Sequence, residues 1–346
     1  MKRRKIIIFV SIMLALFTVC GCANDRVGDG EEVFEFNLAH FFPVTHPAEK
    51  VLVDSWIDAI LEATDGRVKI TSYPQETLCK ADEIYEGVVS GYADIGLSCF
   101  AYTRGRFPLL EAFELPGVVY ESSWAASKIA WDGIRELDLE EVQDTKLMMV
   151  LATGSGDLFT TKPVNNLEDL QGMKIRATGL SAETLKTLGA VPEAMPQSDA
   201  YEALSRGLVQ GNLAPVEVLQ GWGHADVTDY LTFTPFLYNT LFFITMNLEK
   251  WNALPEDLQE AILKVNERIH EDLACSLWDE QNREALDWAR DEKGMEMITL
   301  ADAEAARWIE AVVPIQEDFV ERMSKQGLDG RTVLDKVIQL AGQYGK

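Results

Sequence analysis

Residues 67–98 read RVKITSYPQETLCKADEIYEGVVSGYADIGLS. Residues 67–73 alternate apolar and polar positions and stop at Pro74, which has no N–H to give a strand ladder. Residues 81–90 carry a helical pattern, and Gly91 stands where a helix end needs a left-handed backbone. Residues 93–98 are a second strand. Strand, helix and strand in this order join parallel strands through a right-handed crossover. Upstream, 33–39 (VFEFNLA) alternate as an earlier strand. Residues 48–63 follow as an amphipathic helix, with Leu52, Trp56 and Ile60 on one row and Val53, Ile57 and Leu61 beside it. The predicted order is β-α-β-α-β, a mostly parallel sheet.

The same rhythm restarts downstream. Strands are predicted over 146–152, 158–161 and 173–178, a helix over 181–188 with Gly189 past its end, a strand over 191–195, a helix over 199–206 and a strand over 208–214. This makes two α/β units, 33–145 and 146–214. Residues 228–234 and 241–247 are two more strand-like runs, and the stretch 215–250 is expected to return the chain to the first unit. Pro255, Glu256 and Asp257 open a long helix that keeps its apolar spacing through Leu258, Ile262, Val265, Ile269, Leu273 and Leu277 to about Arg290. It is expected to brace the two units, with 251–300, including a strand at 295–300, going to the second. Residues 301–346 are helical, with a kink expected at Pro314.

The chain has 346 residues, 47% hydrophobic and 25% charged, enough for two domains. Residues 1–22 differ. Lys2-Arg3-Arg4-Lys5 precedes an apolar run over 6–19, broken only by Ser11 and Thr18, and then Val19-Cys20-Gly21-Cys22. This is the layout of a secretory signal, too short for a comfortable span of about 20 residues. Its end resembles a bacterial lipobox with Cys22 as the lipidated residue; plain secretion after cleavage and a retained membrane anchor are the alternatives. Residues 23–32 read as a polar tether to a lipid-anchored, periplasmic or cell-surface body. Cleavage removes four basic and no acidic residues, leaving 27 basic against 56 acidic, a net charge of −29. That argues against a nucleic-acid partner. Cys79, Cys99 and Cys275 are no disulfide framework; a Cys79–Cys99 bridge and buried free thiols are both open.

Catalytic signatures are missing from the sequence. Gly154-Ser155-Gly156-Asp157 fits neither GxSxG nor GxGxxG. His40 and His46 flank FFPVT with no nucleophile or orienting acid in the pattern, and the four histidines show no metal spacing. His40-Phe41-Phe42 does follow a strand end, where α/β sheets place ligand loops.

One further block carries information: FTTKPVNNLEDLQGMKIRATG (159–179), LGAVPEAMPQSDAYEALSRGLVQG (188–211) and Ala214-Pro215. With the motifs of 68–98 and MNLEKWNALPEDLQEAI (246–262), it resembles the extracytoplasmic solute-binding subunits of TRAP transporters, the DctP family. The resemblance implies a two-lobed periplasmic-binding-protein-like α/β fold with mixed sheets, a hinge and a long C-terminal helix. It implies no cofactor, no metal and no reaction: an organic acid is caught between the lobes and handed to separate permease subunits in the membrane. In that family the arginine of the KIR strand binds the substrate carboxylate, which points to Arg176; an ordinary salt bridge is the alternative. The sialic-acid-binding branch has a second arginine near Gly156, an asparagine at Ala214 and an aromatic at Gln197, and these departures argue against sialic acid. His40, Phe41, Phe42, Trp222 and Phe242 are candidates for an aromatic wall suited to an aromatic monocarboxylate, with Gln197 and Asn212 as polar contacts. Core packing for the aromatics, and backbone hydrogen bonding for the amides, are the alternatives. The same architecture also serves ATP-driven transporters and sensor kinases. An exported hydrolase would need a nucleophile–base pair that the sequence does not supply.

Overall fold

The chain, described here by a computed structural model over residues 32–345, runs through eleven strands: β1 (Phe34–His40), β2 (Val68–Tyr73), β3 (Ile95–Cys99), β4 (Thr145–Ala152), β5 (Asp157–Thr160), β6 (Lys174–Ala177), β7 (Val191–Ala194), β8 (Gly211–Ala214), β9 (Tyr230–Phe233), β10 (Leu241–Asn247) and β11 (Glu296–Thr299). The predicted signal segment, Cys22 and all but the last residue of the tether lie outside the described residues.

The strands form two mixed sheets, ordered β2-β1-β3-β10-β4 and β11-β9-β5-β8-β6-β7. In the first, β1 is parallel to β2 and β3, as the crossovers require. β10 runs antiparallel between β3 and β4. Every residue of β3 and β10 is buried, which is why Leu241-Phe242-Phe243-Ile244 is apolar on both faces and does not alternate. Helix Ile84–Val89 lies directly on β3, because Gly96 has no side chain: a Cβ there would sit 2.5 Å from Ile84 and 2.8 Å from Val88.

Two strands lie in the other sheet from the one the sequence rhythm assigns. Residues 145–152 read as the start of the second unit, yet β4 completes the first sheet. Residues 228–234 read as a return to the first unit, yet β9 pairs with β5 and β11 in the second. The cause is that the chain crosses between sheets at 153–156, again at 234–240, and a third time between β10 and β11, through the helices of 248–291. Strand patterning reports burial, and burial is the same in either sheet. The first two crossings are tied to each other: Thr153 N–H donates to Thr240 O (3.1 Å), Gly156 N–H to Tyr238 O (3.2 Å), and Thr234 N–H to the Asp157 carboxylate (2.6 Å). They form a paired hinge strap.

The predicted long helix is interrupted. Glu256–Ile269 passes into a wide turn at His270–Ala274, and Leu277–Asp291 is a separate helix. Other elements hold the groups that the break exposes. His270 Nε2 donates to Val150 O (2.8 Å), and Ser123 Oγ donates to Cys275 O (2.8 Å). The Asp279 carboxylate in turn accepts the N–H groups of Ser123 and Trp124, at the start of helix Ser123–Leu137. That helix has no counterpart in the sequence reading. At Pro314 the chain starts a new helix, Pro314–Lys325, after Asp302–Val312, with proline at the first helical position, where its missing N–H costs nothing. Cys79, Cys99 and Cys275 are buried free thiols, which settles the open choice against a Cys79–Cys99 bridge. No described helix is long and apolar enough to cross a membrane.

Candidate functional site

Four strand ends converge between the sheets. Phe41 and Phe42 follow β1, Tyr102 follows β3, Arg176 is the third residue of β6, and Pro215 and Glu217 follow β8. Carboxyl ends of parallel strands are where α/β sheets leave space for a ligand, because the helices that cover the faces start beyond them. Thr153, Tyr238 and Phe242, from the hinge strap and the start of β10, line the same space. The free space is about 20 Å³, room for a single water molecule.

Arg176 is 1% exposed. Its Nε donates to Met195 O (3.0 Å) and one Nη to Asn212 Oδ1 (3.3 Å), so two of the five N–H donors of a guanidinium are held by the protein. Among the described residues no carboxylate lies within 4.0 Å of it; Arg67, Arg307 and Arg322, by contrast, each pair with an acid. A buried cation without a counter-ion is costly, and its effect reaches the neighbours. Burial, reinforced by the Arg176 charge, lowers His224 to about 3, so that imidazole is neutral. Burial raises Tyr102, Tyr238 and Cys99 well above their ordinary ranges, against the pull of Arg176. All three are uncharged walls.

The sequence candidates separate into two layers. Phe41, Phe42, Trp222, Phe242, Gln197 and Arg176 line the cavity together. Phe41 stacks on Phe42 at 4.3 Å between centroids, Phe242 on Trp278 at 4.7 Å, and Phe41 lies 6.0 Å from Trp222. These offset contacts make a rigid aromatic floor. Asn212 is behind the lining. Its oxygen faces Arg176, and its Nδ2–H then donates to His224 Nδ1 (3.2 Å). On the other side of the ring, His224 Nε2 lies 3.0 Å from the Gln197 amide nitrogen.

His40 is not in the wall. It is fully buried, with Nε2 2.8 Å from Glu49 and 3.0 Å from Ser72 Oγ, and its Nδ1 accepts the Phe42 N–H (3.2 Å). Burial pushes the Glu49 carboxyl up, and the His40 and Ser72 hydrogen bonds more than offset it. Position alone, next to Phe41, suggested a lining role; the side chain turns inward because β1 alternates its faces, and there it fixes the Phe41-Phe42 turn.

Tyr102, Tyr238, Thr153, Cys99, His224 and Glu217 carry no motif, and the sequence reading names none of them as a site residue. Only their place after strand ends was available as a signal. Gly156, which the family resemblance puts near a second arginine of the sialic-acid-binding branch, has no space for any side chain: a Cβ would lie 2.5 Å from Tyr238 and 2.8 Å from Ala214 O. A separate cavity of about 290 Å³ is larger, but its charged lining is Glu111, Glu114 and Glu183 against Arg104 and Arg322. Burial pushes Glu114 up to about 8. With Glu114 protonated at neutral pH, two acids face two arginines and the space offers an anion no net positive charge, so the aromatic cavity with Arg176 is the better site for one.

Residues 38–323 match the family model described as bacterial extracellular solute-binding protein, family 7 (DctP). The chain belongs to the DctP family of TRAP solute-binding proteins. A TRAP periplasmic solute-binding protein from Desulfovibrio salexigens is 33% identical and superposes with a TM-score of 0.78, over 90% of this chain and 96% of that one. A marine metagenome TRAP solute-binding protein specific for aromatic acid ligands, crystallised with 3-hydroxybenzoate, is 27% identical with a TM-score of 0.86, over 91% of this chain and 100% of that one. The C4-dicarboxylate-binding periplasmic protein DctP of Rhodobacter capsulatus is 25% identical over 76% of this chain and 80% of its own length. Like its family, the chain is a two-lobed extracytoplasmic receptor that serves a TRAP membrane permease.

Proposed function

We propose that this DctP-family receptor captures a small aromatic monocarboxylate and releases it unaltered to the permease subunits. In this reading Arg176 is the carboxylate fork, Gln197 a polar contact, and Phe41, Phe42, Trp222 and Phe242 the surface on which the ring lies. Asn212 and His40 act from behind, the first holding the guanidinium and the second the Phe41-Phe42 turn. The observation that carries the reading is a buried guanidinium with no carboxylate partner, in a cavity walled by aromatic rings. Such a group favours an anion, because a planar fork meets a carboxylate with two charge-assisted hydrogen bonds at low dielectric. The aromatic-acid specificity of the metagenome relative supports the same ligand class.

Capture requires the lobes to open and then shut on the ligand, since the 20 Å³ of the described state admits no ring. The two sheets open about the strap at 153–156 and 234–240, and the ligand favours the shut state by bridging both walls. The receptor performs no chemistry. It is exported by the signal at 1–22, lipidated on Cys22 and held by the tether 23–32. Lobe I is taken as 33–145 with about 215–250, amended by the sheet exchange of β4 and β9; lobe II takes the remainder to about 300.

A thermal-shift screen of organic acids against the purified protein tests the reading. Benzoate, 3-hydroxybenzoate and mandelate should raise Tm, and sugars and amines should not. A screen in which only uncharged or cationic solutes stabilise the protein would overturn it. Labelling with palmitate in a bacterial host, lost in Cys22→Ser, tests the anchor.

A further inference from the structure

The cavity that carries Arg176 also holds an acid of the protein. Glu217, on the turn after β8, is 4% exposed and lines the same space. Its Oε2 lies 3.0 Å from Nε2 of His46, which is buried on the loop after β1. His46 Nδ1 accepts the Ala48 N–H at 3.0 Å, so the ring's one proton is on Nε2 and the imidazole is uncharged. The pair is thus a neutral donor on a carboxylate, with no second charge to cancel it. Of the other polar groups in the wall, Cys99, Tyr102 and Tyr238 keep their protons, and Thr153 and Gln197 do not titrate. Arg176 is the one cation of the lining, and Glu217 the one anion.

We infer that Glu217 sets the charge of the ligand, admitting an aromatic acid with one carboxylate and rejecting one of the same outline with two. The inference rests on the carboxylate-binding reading above. The first ligand carboxylate takes the Arg176 fork. A second finds no cation in the lining, and it shares a water-poor space with Glu217, where like charges repel strongly. An uncharged group that donates a hydrogen bond, a hydroxyl or a carboxamide, meets Glu217 favourably. The family contains a dicarboxylate binder, so the discrimination is not a property of the fold.

Glu217 also ties the loop after β1 to the turn after β8. A purely structural tie would change the affinity for every ligand alike, so the informative readout is a ratio. Isophthalate and 3-carbamoylbenzoate have the same outline and differ by one charge. Their Kd values are to be measured calorimetrically, with benzoate as reference, on the purified full chain and on Glu217→Gln, whose amide oxygen still accepts the His46 N–H. The wild type should prefer 3-carbamoylbenzoate at least ten-fold, and the preference should fall below three-fold in the variant. Binding of benzoate with isophthalate within three-fold of 3-carbamoylbenzoate in the wild type, or a ten-fold preference kept by Glu217→Gln, overturns the inference and leaves the carboxylate reading standing. Failure of the wild type to bind any of the three removes that reading and the inference with it. If the variant does not fold, the wild-type ratio, repeated with terephthalate and 4-carbamoylbenzoate, decides by the same thresholds.

Discussion

Removing the Arg176 guanidinium separates the binding claim from the fold. In the ligand-free protein this side chain gives hydrogen bonds to Met195 O and Asn212 Oδ1, each worth about 1.5–3 kcal/mol because the donor is charged. Against that gain stands the cost of an unpaired buried cation, of similar or larger size. Arg176→Ala should therefore move the ligand-free Tm by only a few degrees. Ligand binding loses two charge-assisted hydrogen bonds, about 1.5–3 kcal/mol each. At 1.4 kcal/mol per decade, a total of about 3–6 kcal/mol weakens binding by roughly 100- to 10,000-fold. Arg176→Lys keeps the charge without the planar fork and should fall between, at about 10- to 100-fold. Calorimetric titration with 3-hydroxybenzoate, with circular dichroism to show that each variant is folded, measures these losses. A folded Arg176→Ala protein that binds within three-fold of wild type would refute the reasoning, because no other cation lines the cavity.

Gly156→Ala tests the crowding at the hinge strap. The new methyl meets Tyr238 and the fixed Ala214 carbonyl at under 3 Å, a clash that should cost about 1–3 kcal/mol and lower Tm by several degrees in a thermal melt; an unchanged Tm would count against the strap geometry. Asp157→Asn tests the strap's buried acid. Burial pushes Asp157 up from 3.8 to about 7, so between those values the folded chain holds a proton that the unfolded chain has released. The contribution of Asp157 to stability therefore falls as pH rises from 4 to 7 and stays low above it, by at most ~4 kcal/mol at about 1.4 kcal/mol per pKa unit. Asparagine does not titrate, so the wild-type stability minus that of the variant, from urea unfolding, should decline between pH 4.5 and 8. A difference independent of pH would refute the assignment.

Local pattern decided much of this protein. The β-α-β rhythm over 33–98, the strand that carries Arg176 and the helix and strand that follow it are read from alternation, helical spacing and glycine stops, because each is a contest between neighbours a few residues apart. The block around Lys174-Ile175-Arg176 was enough to point to the family and to the guanidinium. Gln197, Phe41, Phe42, Trp222 and Phe242 were legible as candidates for the same reason: they sit beside strand ends or on the family's motif.

Tertiary structure decided which sheet each strand joined. β4 and β9 exchange places relative to the linear reading, since an apolar strand gains the same burial in either sheet and only the hinge crossings choose. It also broke the long helix at His270, where Val150, 120 positions away, holds the imidazole. It drew His40 and Asn212 out of the wall and brought Tyr102, Tyr238, His224 and Glu217 to Arg176. Those residues come from four separate segments, so no window of sequence contains the cavity. A charge's neighbours are set by folding in three dimensions, and whether Arg176 meets a protein carboxylate or is left for a ligand is a fact of that kind.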